Sequence, residues 1–251
     1  MFARLPKWRQ TALIVLVIAS LVGAYSSATA DSITIAAQVD ATIYSEDGTA
    51  ANGAGDLWAG RTNGNLGTLV RRALVKFEVE GAIPAEATVD SVRLTLTLVK
   101  ANGFSPTSTF VIHRVEEDWS EGPTTTLGGR GGAAQIGDVT WSHRIYNSSV
   151  WAVPGGDIDG STDASRSISS TAGPAVFSSA EMKVTVQNWL DGVKSNDGWL
   201  LKVQDENTLQ TARQFASRDA ATGSPSLEIW FTPKVPVEAT SWGGVKSRYA
   251  Q

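Results

Sequence analysis

The chain has 251 residues, no cysteine and a formal net charge of −4 at pH 7. Because it lacks cysteine, it cannot rely on disulfide bonds, and its stability must come from packing or from bound metal ions. An acidic chain of this kind is a poor general binder of nucleic acid or of anionic membrane surfaces, since both require a basic face. It is a suitable host for calcium, which prefers carboxylate and carbonyl oxygens.

Residues 1–30 have the pattern of a secretory signal peptide. Three basic side chains precede the apolar run TALIVLVIASLV at 11–22, and the small residues Ala-Thr-Ala follow at 28–30. This order is typical of a cleaved leader, and the apolar run is shorter than the ~20 residues that a membrane span needs. An uncleaved anchor is the alternative. We predict cleavage after Ala30, a secreted, extracellular or cell-surface location, and no membrane span after cleavage.

Residues 31–232 are predicted to form one domain of antiparallel β-sheet. The stretches LVRRALVKFEVE (69–80) and DSVRLTLTLVK (90–100) alternate apolar and polar side chains, which is typical of strands with one buried and one solvated face. STFVIHRV, GWLLKV and SLEIWF are predicted as further strands, and only MKVTVQNWLDGV (182–193) contains a helical stretch. Many strands without alternating helices favour an all-β fold, an antiparallel β-sandwich of jelly-roll type with one short helical segment.

The residues that catalysis usually requires are sparse. The sequence has two histidines, His113 and His143, no serine in a G-x-S-x-G turn and no paired-histidine zinc motif. Carboxylates are present in EEDWSEG (116–122), and two would suffice for a glycosidase. Acidic residues at a strand end are usually solvated, so we expect no enzymatic activity.

Aromatic side chains in loops give the stronger functional signal. A sugar ring has an apolar face of C–H bonds that stacks on an aromatic ring, and a rim of hydroxyls that polar side chains bind. The predicted ligand-binding residues are Trp58, Trp141, His143, Tyr146 and Trp151. The competing interpretation is burial in a core or under a loop, which is common for tryptophan. We prefer burial for Trp119 and Trp189. For Trp141 and Trp151 both interpretations stay open.

A structural calcium ion is predicted near the start of the domain. The predicted metal ligands are the acidic residues Asp40, Glu46, Asp47 and Asp56, in a segment rich in glycine and asparagine. Their carboxylates are the oxygen ligands that calcium prefers, although their spacing is not that of an EF-hand. Solvated acidic loops are the alternative for each residue taken singly.

Five stretches of the chain together resemble one family. They are VDATIYSEDGTAANGAGDLWAG (39–60), RRALVKFEVEGAIPAEATVDSVRLTLTL (71–98), VIHRVEEDWSEG (111–122), VTVQNWLDG with NDGWLLK (184–202) and RQFASRDAATGSPSLEIWF (213–231). With these motifs the chain resembles the DNRLRE-type secreted domain, which is related to a carbohydrate-binding module family with alginate-binding members. The resemblance implies a calcium-containing jelly roll. Asp219 stands where that family usually has glutamate, and Ser224-Pro225 replaces an Arg-Pro pair.

The segment GDVTWSHRIYNSSVWAVPGGD (137–157) is similar to an extra loop in long versions of the same domain. The resemblance implies that seven of its residues form the framework of a structured loop: Asp138, Trp141, Arg144, Pro154, Gly155, Gly156 and Asp157. His143, Tyr146 and Trp151 are then free to meet a ligand. We therefore expect a loop held on the scaffold first and a binding face second. Truncation of Trp151 is expected to weaken ligand binding and to leave folding nearly intact.

Residues 233–251 are predicted to form a tail outside the domain. Pro233 and Pro236 end the last strand because proline lacks the N–H donor that a sheet requires. The tail has a basic end on an acidic protein, and we predict that it docks an export or surface partner. A frayed terminus without a role is the alternative.

These features predict a secreted, non-catalytic carbohydrate-binding or cell-surface module whose partner is a polysaccharide or a cell-surface glycan. The alternative function is a structural or assembly subunit of the cell envelope. A polysaccharide-degrading enzyme is a less favoured third hypothesis.

Overall fold

The computed structural model describes residues 29–46, 48–63 and 69–234. Within these ranges the chain forms fourteen strands and one helix: β1 (Asp31–Tyr44), β2 (Ala50–Asn52), β3 (Leu57–Arg61), β4 (Val70–Phe77), β5 (Thr88–Ala101), β6 (Ser108–Arg114), β7 (Gly132–Ala133), β8 (His143–Ile145), β9 (Ser149–Val150), β10 (Ala164–Ile168), β11 (Gly173–Phe177), α1 (Ala180–Leu190), β12 (Trp199–Val203), β13 (Arg213–Phe215) and β14 (Ser226–Thr232). The predicted all-β antiparallel sandwich with one helical segment is confirmed. The predicted leader up to residue 28 and the predicted tail from residue 235 lie outside the described residues.

Twelve of the fourteen strands form two antiparallel sheets that share two strands, and β8 pairs with β9 in a separate two-stranded sheet. The front sheet contains β11, β5, β13, β14, β3 and the first half of β1. The back sheet runs in the order β10, β6, β12, β4, β1, β2, β7. β1 pairs with β14 over residues 31–36 and with β4 over residues 37–44. β3 pairs with β13 over residues 57–59 and with β4 over residues 60–61. Because β1 and β3 pass from one sheet to the other, the backbone itself connects the two layers.

β1 and β14, the first and last strands, are neighbours at one edge of the front sheet. Asp31 of β1 pairs with Phe231 of β14, and Thr232 pairs with Thr88 at the start of β5. The far end of β5, which is 14 residues long, carries Lys100. The chain therefore enters the sandwich at Asp31 and leaves it at Thr232. Both residues lie near Thr88, at the end of β5 that is farthest from Lys100.

The main core lies between the two sheets. Alternate residues of β5 from Val92 to Leu98 point inward, and so do the alternate residues of β4 that end at Phe77. The ring of Phe77 meets the edge of Trp199 in β12, with ring centroids 6.3 Å apart. The period-2 pattern of the sequence thus places its apolar face in this core.

Helix α1 closes one side of the main core. It begins at the N-cap Ser179, whose Oγ accepts a hydrogen bond from the N–H of Met182 at 2.9 Å. It ends before Gly192, which adopts a φ of 65°. Trp189 is buried, as expected, with its ring centroid 4.5 Å from that of Trp199. Among the described residues, no helix is long and apolar enough to cross a lipid bilayer.

A second core covers the outer face of the back sheet. Ile43 of β1, Leu74 of β4 and Leu200 of β12 belong to it, and so do Trp119 and Trp151 from the long connection between β6 and β10. These strand residues point away from the main core because neighbouring side chains alternate between the faces of a strand. The centre of the back sheet is therefore buried on both faces.

Candidate ligand-binding pocket

An open pocket lies at the end of the front sheet where β5 turns toward β6. Its volume is about 370 Å³, within the range of about 300–1,000 Å³ that is common for small-molecule sites. Three parts of the chain line it: β3 with the residues after it, the end of β5 with its turn, and the loop before β13. The main lining residues are Trp58, Thr62, Lys100, Asn102, Ser105 and Gln210. We call this cavity the Trp58 pocket.

Strand register places the side chains that form its floor. Gln214 of β13 pairs with Trp58 of β3 on one side and with Lys100 of β5 on the other. Residues that pair directly across antiparallel strands share one face of the sheet. Neighbouring strands lie about 4.8 Å apart, so the row from Trp58 to Lys100 spans about 10 Å.

A β-bulge turns the end of β5 toward the pocket. Leu98 pairs with Phe215 and Lys100 pairs with Gln214, so Val99 is one extra residue on β5. Such a bulge breaks the alternation of the strand and redirects its side chains. As a result Val99 and Lys100 are both exposed.

Three polar atoms of the pocket lack a hydrogen-bond partner among the described residues. They are Nε1 of Trp58, Oγ1 of Thr62 and Oγ of Ser105, and all three are buried. Only 9% of Ser105 is exposed. An unpaired buried donor or acceptor costs about 1–3 kcal/mol. Because these atoms are covered, a polar ligand can pair with them only after the side chains around them move.

The loop at Gly129 supports the indole of Trp58 from one side. A Cβ atom on Gly129 would lie 3.1 Å from Cδ2 of Trp58, so the backbone packs directly against the ring. The carbonyl oxygen of Gly129 accepts a hydrogen bond from Nε of Arg71 at 2.7 Å. Arg71 is buried and forms an ion pair with Glu46 at 2.7 Å. The buried guanidinium therefore fixes the loop that holds the Trp58 ring.

Arg213 joins two walls of the pocket from the inner side of β13. Its guanidinium donates hydrogen bonds to the carbonyl oxygens of Pro106 at 2.7 Å and Thr211 at 3.1 Å. Pro106 follows Ser105, and Thr211 follows Gln210, so one side chain positions both walls. Desolvation by burial lowers the pKa of Arg213 from its ordinary value. Sequence reasoning missed this residue because arginine is seldom fully buried.

Trp151 is a core residue. Only 3% of it is exposed, and its indole N–H donates to the carbonyl oxygen of Thr140 at 2.9 Å. It belongs to the second core with Leu74 and Leu200. This burial does not fit the predicted ligand-facing role. The physical reason is that the back sheet presents apolar side chains outward, and the loop must cover them with a large apolar group.

Trp141 is held on the same face by Arg72 of β4. The guanidinium carbon lies 4.7 Å from the ring centroid of Trp141, and Nη1 donates to the carbonyl oxygen of Gly155 at 2.8 Å. Arg72 also makes two hydrogen bonds of 2.8 Å with Glu206. Burial raises the pKa of Glu206, but the hydrogen bonds and charges of Arg72 and Lys202 outweigh it and lower the pKa below its ordinary value. Trp141 therefore has a framework contact, as the resemblance implies.

His143 and Tyr146 are the remaining predicted ligand residues of this loop. Their rings meet edge to face with centroids 5.2 Å apart, and both side chains are partly exposed. The structure brings these two together on the loop that covers the back sheet. Trp58 lies apart from them, in the pocket of the front sheet.

Asp40 is the buried member of a charged cluster with Glu121 and Arg218. It is fully buried, its Oδ2 accepts the backbone N–H of Arg218 at 2.7 Å, and its own N–H donates to Glu121 at 3.1 Å. Glu121 is also paired with the guanidinium of Arg218 at 2.9 Å. Desolvation by burial raises the pKa of Asp40 to about 8, with the carboxylates of Glu121 and Asp219 adding to the effect. Oδ1 of Asp40 has no hydrogen-bond partner among the described residues.

The other predicted calcium ligands have separate partners. Glu46 is paired with Arg71, Asp56 accepts the N–H of Gly128 at 3.4 Å, and Asp47 lies outside the described residues. In the ranges that the structure describes, no three side chains of His, Cys, Asp or Glu are arranged to hold a metal ion. The described acids therefore do not fit one shared calcium site, and calcium binding stays a prediction.

Comparison with known proteins assigns no family to the chain. A scan against models of protein families found no match, and a search of curated proteins found no significantly similar sequence. The resemblance to the DNRLRE-type domain stays a prediction that rests on the sequence motifs alone.

Proposed function

We propose that this protein is a non-catalytic carbohydrate-binding module and that its ligand binds in the Trp58 pocket. The observation that carries the proposal is an indole ring in the wall of an open cavity that is also lined by the amide side chains of Asn102 and Gln210. Pockets that combine an aromatic wall with a few convergent polar groups are the usual form of small-ligand sites.

The chemistry of the lining suits a sugar ring. The C–H face of a pyranose can stack on the side of the Trp58 indole that faces the cavity. The hydroxyls of Thr62 and Ser105 are covered in the unbound protein and can exchange hydrogen bonds with the sugar after rotation about χ1. Asn102 and Gln210 at the edge add amide groups that both donate and accept.

The surroundings of the ionisable groups support binding rather than catalysis. Among the described lining residues the single ionisable side chain is Lys100, whereas proton transfer in both directions needs an acid and a base in reach of the substrate. Nδ1 of His113 contacts the carbonyl oxygen of Ser161 at 2.7 Å. Because a carbonyl only accepts, this nitrogen is a donor in a structural hydrogen bond.

The partner that we propose is a polysaccharide outside the cell or a cell-surface glycan. The signal-peptide pattern of residues 1–30 supports this location. The competing function is a structural or assembly subunit of the cell envelope, in which the sandwich itself is the building block.

Replacement of Trp58 by alanine is expected to lower glycan affinity at least about tenfold, which corresponds to about 1.4 kcal/mol. The variant loses the stacking surface at the wall of the pocket. Ser105→Ala removes only a hydroxyl and is expected to cost about three- to tenfold, the worth of one hydrogen bond. A glycan array followed by titration calorimetry on the retained glycan measures both effects.

Trp230→Ala is the matched control. Trp230 is a partly exposed tryptophan of the front sheet that lies outside the pocket, with the guanidinium of Arg93 4.9 Å from its ring centroid. Its replacement is expected to leave affinity unchanged. Equal binding by the wild type and Trp58→Ala would contradict the site. A wild-type protein that retains no glycan but forms large assemblies in size-exclusion chromatography would favour the structural function.

A further inference from the structure

We infer that the Trp58 pocket binds several consecutive sugar units of a polysaccharide chain, with Phe104 as a second stacking platform just outside the pocket. This inference rests on the proposed function. It adds a preference for chain length and one further contact residue.

Phe104 is presented to solvent on a fixed turn. It is 89% exposed and lies between Asn102 and Ser105, which both line the pocket. Its N–H donates to Oδ1 of Asn102 at 3.1 Å, and the N–H of Ser105 donates to the carbonyl oxygen of Asn102 at 2.9 Å. The turn is thus closed by two hydrogen bonds, and it holds an uncovered phenyl ring beside the mouth of the pocket.

The rim of the pocket continues this apolar surface. Val99 and Leu209 are exposed, and each is the chain neighbour of a lining residue, Lys100 or Gln210. Single exposed apolar side chains are normal on a protein, but several around one cavity mark an interaction surface. The exposed lining of the pocket is itself mainly apolar, so an apolar surface continues from the pocket wall to these side chains. A sugar chain matches this pattern, because the C–H faces of successive rings can lie along it while their hydroxyls stay in water.

The dimensions favour more than one sugar unit. The row from Trp58 to Lys100 spans about 10 Å, and Phe104 lies in the turn beyond the end of β5. We expect that a single ring stacked on Trp58 stops short of Phe104 and that a chain of two or three rings extends to it. Phe104 is then a specificity-determining residue that distinguishes a polymer from a free monosaccharide.

The test is affinity as a function of chain length. Size ladders of one to six units, prepared from cellulose, laminarin, alginate and polygalacturonate, are titrated into the wild type and Phe104→Ala by calorimetry. For the ladder that binds, we expect wild-type affinity to rise about tenfold or more between one and three units. Phe104→Ala is expected to abolish this rise and to keep the affinity for the single unit. Phe104→Tyr keeps an aromatic ring and is expected to show the same rise in affinity with chain length as the wild type.

Val193→Ala is the control for removal of an exposed apolar side chain. Val193 follows α1, and Gln187 of that helix accepts the N–H of Val89 at the far end of β5 from the pocket. It is expected to behave as the wild type. Affinity that is independent of chain length, or that rises equally in Phe104→Ala, overturns the inference and leaves the proposed function standing. Failure of the wild type to bind any ladder overturns the proposed function as well.

Discussion

Replacing Trp151 with alanine is expected to lower the free energy of unfolding by about 3–5 kcal/mol, the usual cost of truncating a buried aromatic side chain to alanine. Trp151 is almost fully buried in the second core, and its indole N–H is paired with the carbonyl oxygen of Thr140. Its removal would leave a cavity over Leu74 and Leu200 on the back sheet. Urea unfolding followed by circular dichroism measures the loss.

Val150→Ala is the matched control for this variant, because Val150 is the chain neighbour of Trp151 and is 63% exposed. We expect it to change stability by less than about 0.5 kcal/mol. A loss below about 1 kcal/mol in Trp151→Ala, together with weaker glycan binding, would contradict the core assignment. It would instead support the ligand-facing role that the sequence predicts for this residue.

Stability is expected to decrease as the pH rises from about 4 to about 8, because of Asp40. Burial raises the pKa of Asp40 to about 8 in the folded protein, whereas an unfolded aspartate has a pKa of about 3.9. The folded state therefore binds the proton more tightly. The stabilisation that this bound proton provides is complete below pH 4. It is lost as the pH rises through the pKa that Asp40 has in the folded protein. The upper limit of this effect is roughly 6 kcal/mol.

Asp40→Asn tests this assignment, since asparagine has a similar shape and does not ionise in this range. We expect the variant to be more stable than the wild type at pH 9 and to differ little from it at pH 4. Asp90→Asn, at an exposed position, controls for the loss of one negative charge. The same measurements with added calcium probe the calcium prediction, because a bound cation would favour ionised Asp40 and flatten the pH dependence. Equal pH profiles for the wild type and Asp40→Asn would show that Asp40 does not carry the effect.

The strands could be predicted because alternating apolar and polar residues indicate a sheet with one buried face. Val92, Leu94, Leu96 and Leu98 all enter the main core. The second core was harder to foresee, although the sequence carried a signal for it. Trp199, Leu200 and Leu201 are three consecutive apolar residues, which indicates a strand that is buried on both faces. A cover for the outer face, and hence burial of Trp151, follows from that run.

The pocket was predictable only in part. Trp58 was proposed from its residue type, and the structure places it in the wall of a cavity. Ser105 and Thr62 gave no signal, because the sequence does not show that the fold leaves their hydroxyls without a partner among the described residues. Arg71 and Arg213 also gave none. Composition predicts that arginine is solvated, and burial becomes tolerable only where carbonyl groups or a carboxylate converge on the guanidinium.

The placement of the first and last strands has a consequence for how the domain would be displayed. The chain enters and leaves the sandwich beside Thr88, and the Trp58 pocket lies at the opposite end of β5. A strand of 14 residues measures about 40 Å. A domain tethered through the residues that follow Thr232 would therefore hold the Trp58 pocket about 40 Å away from the point of attachment. A long polymer could then lie across the outer tip of the domain without steric conflict with the supporting surface.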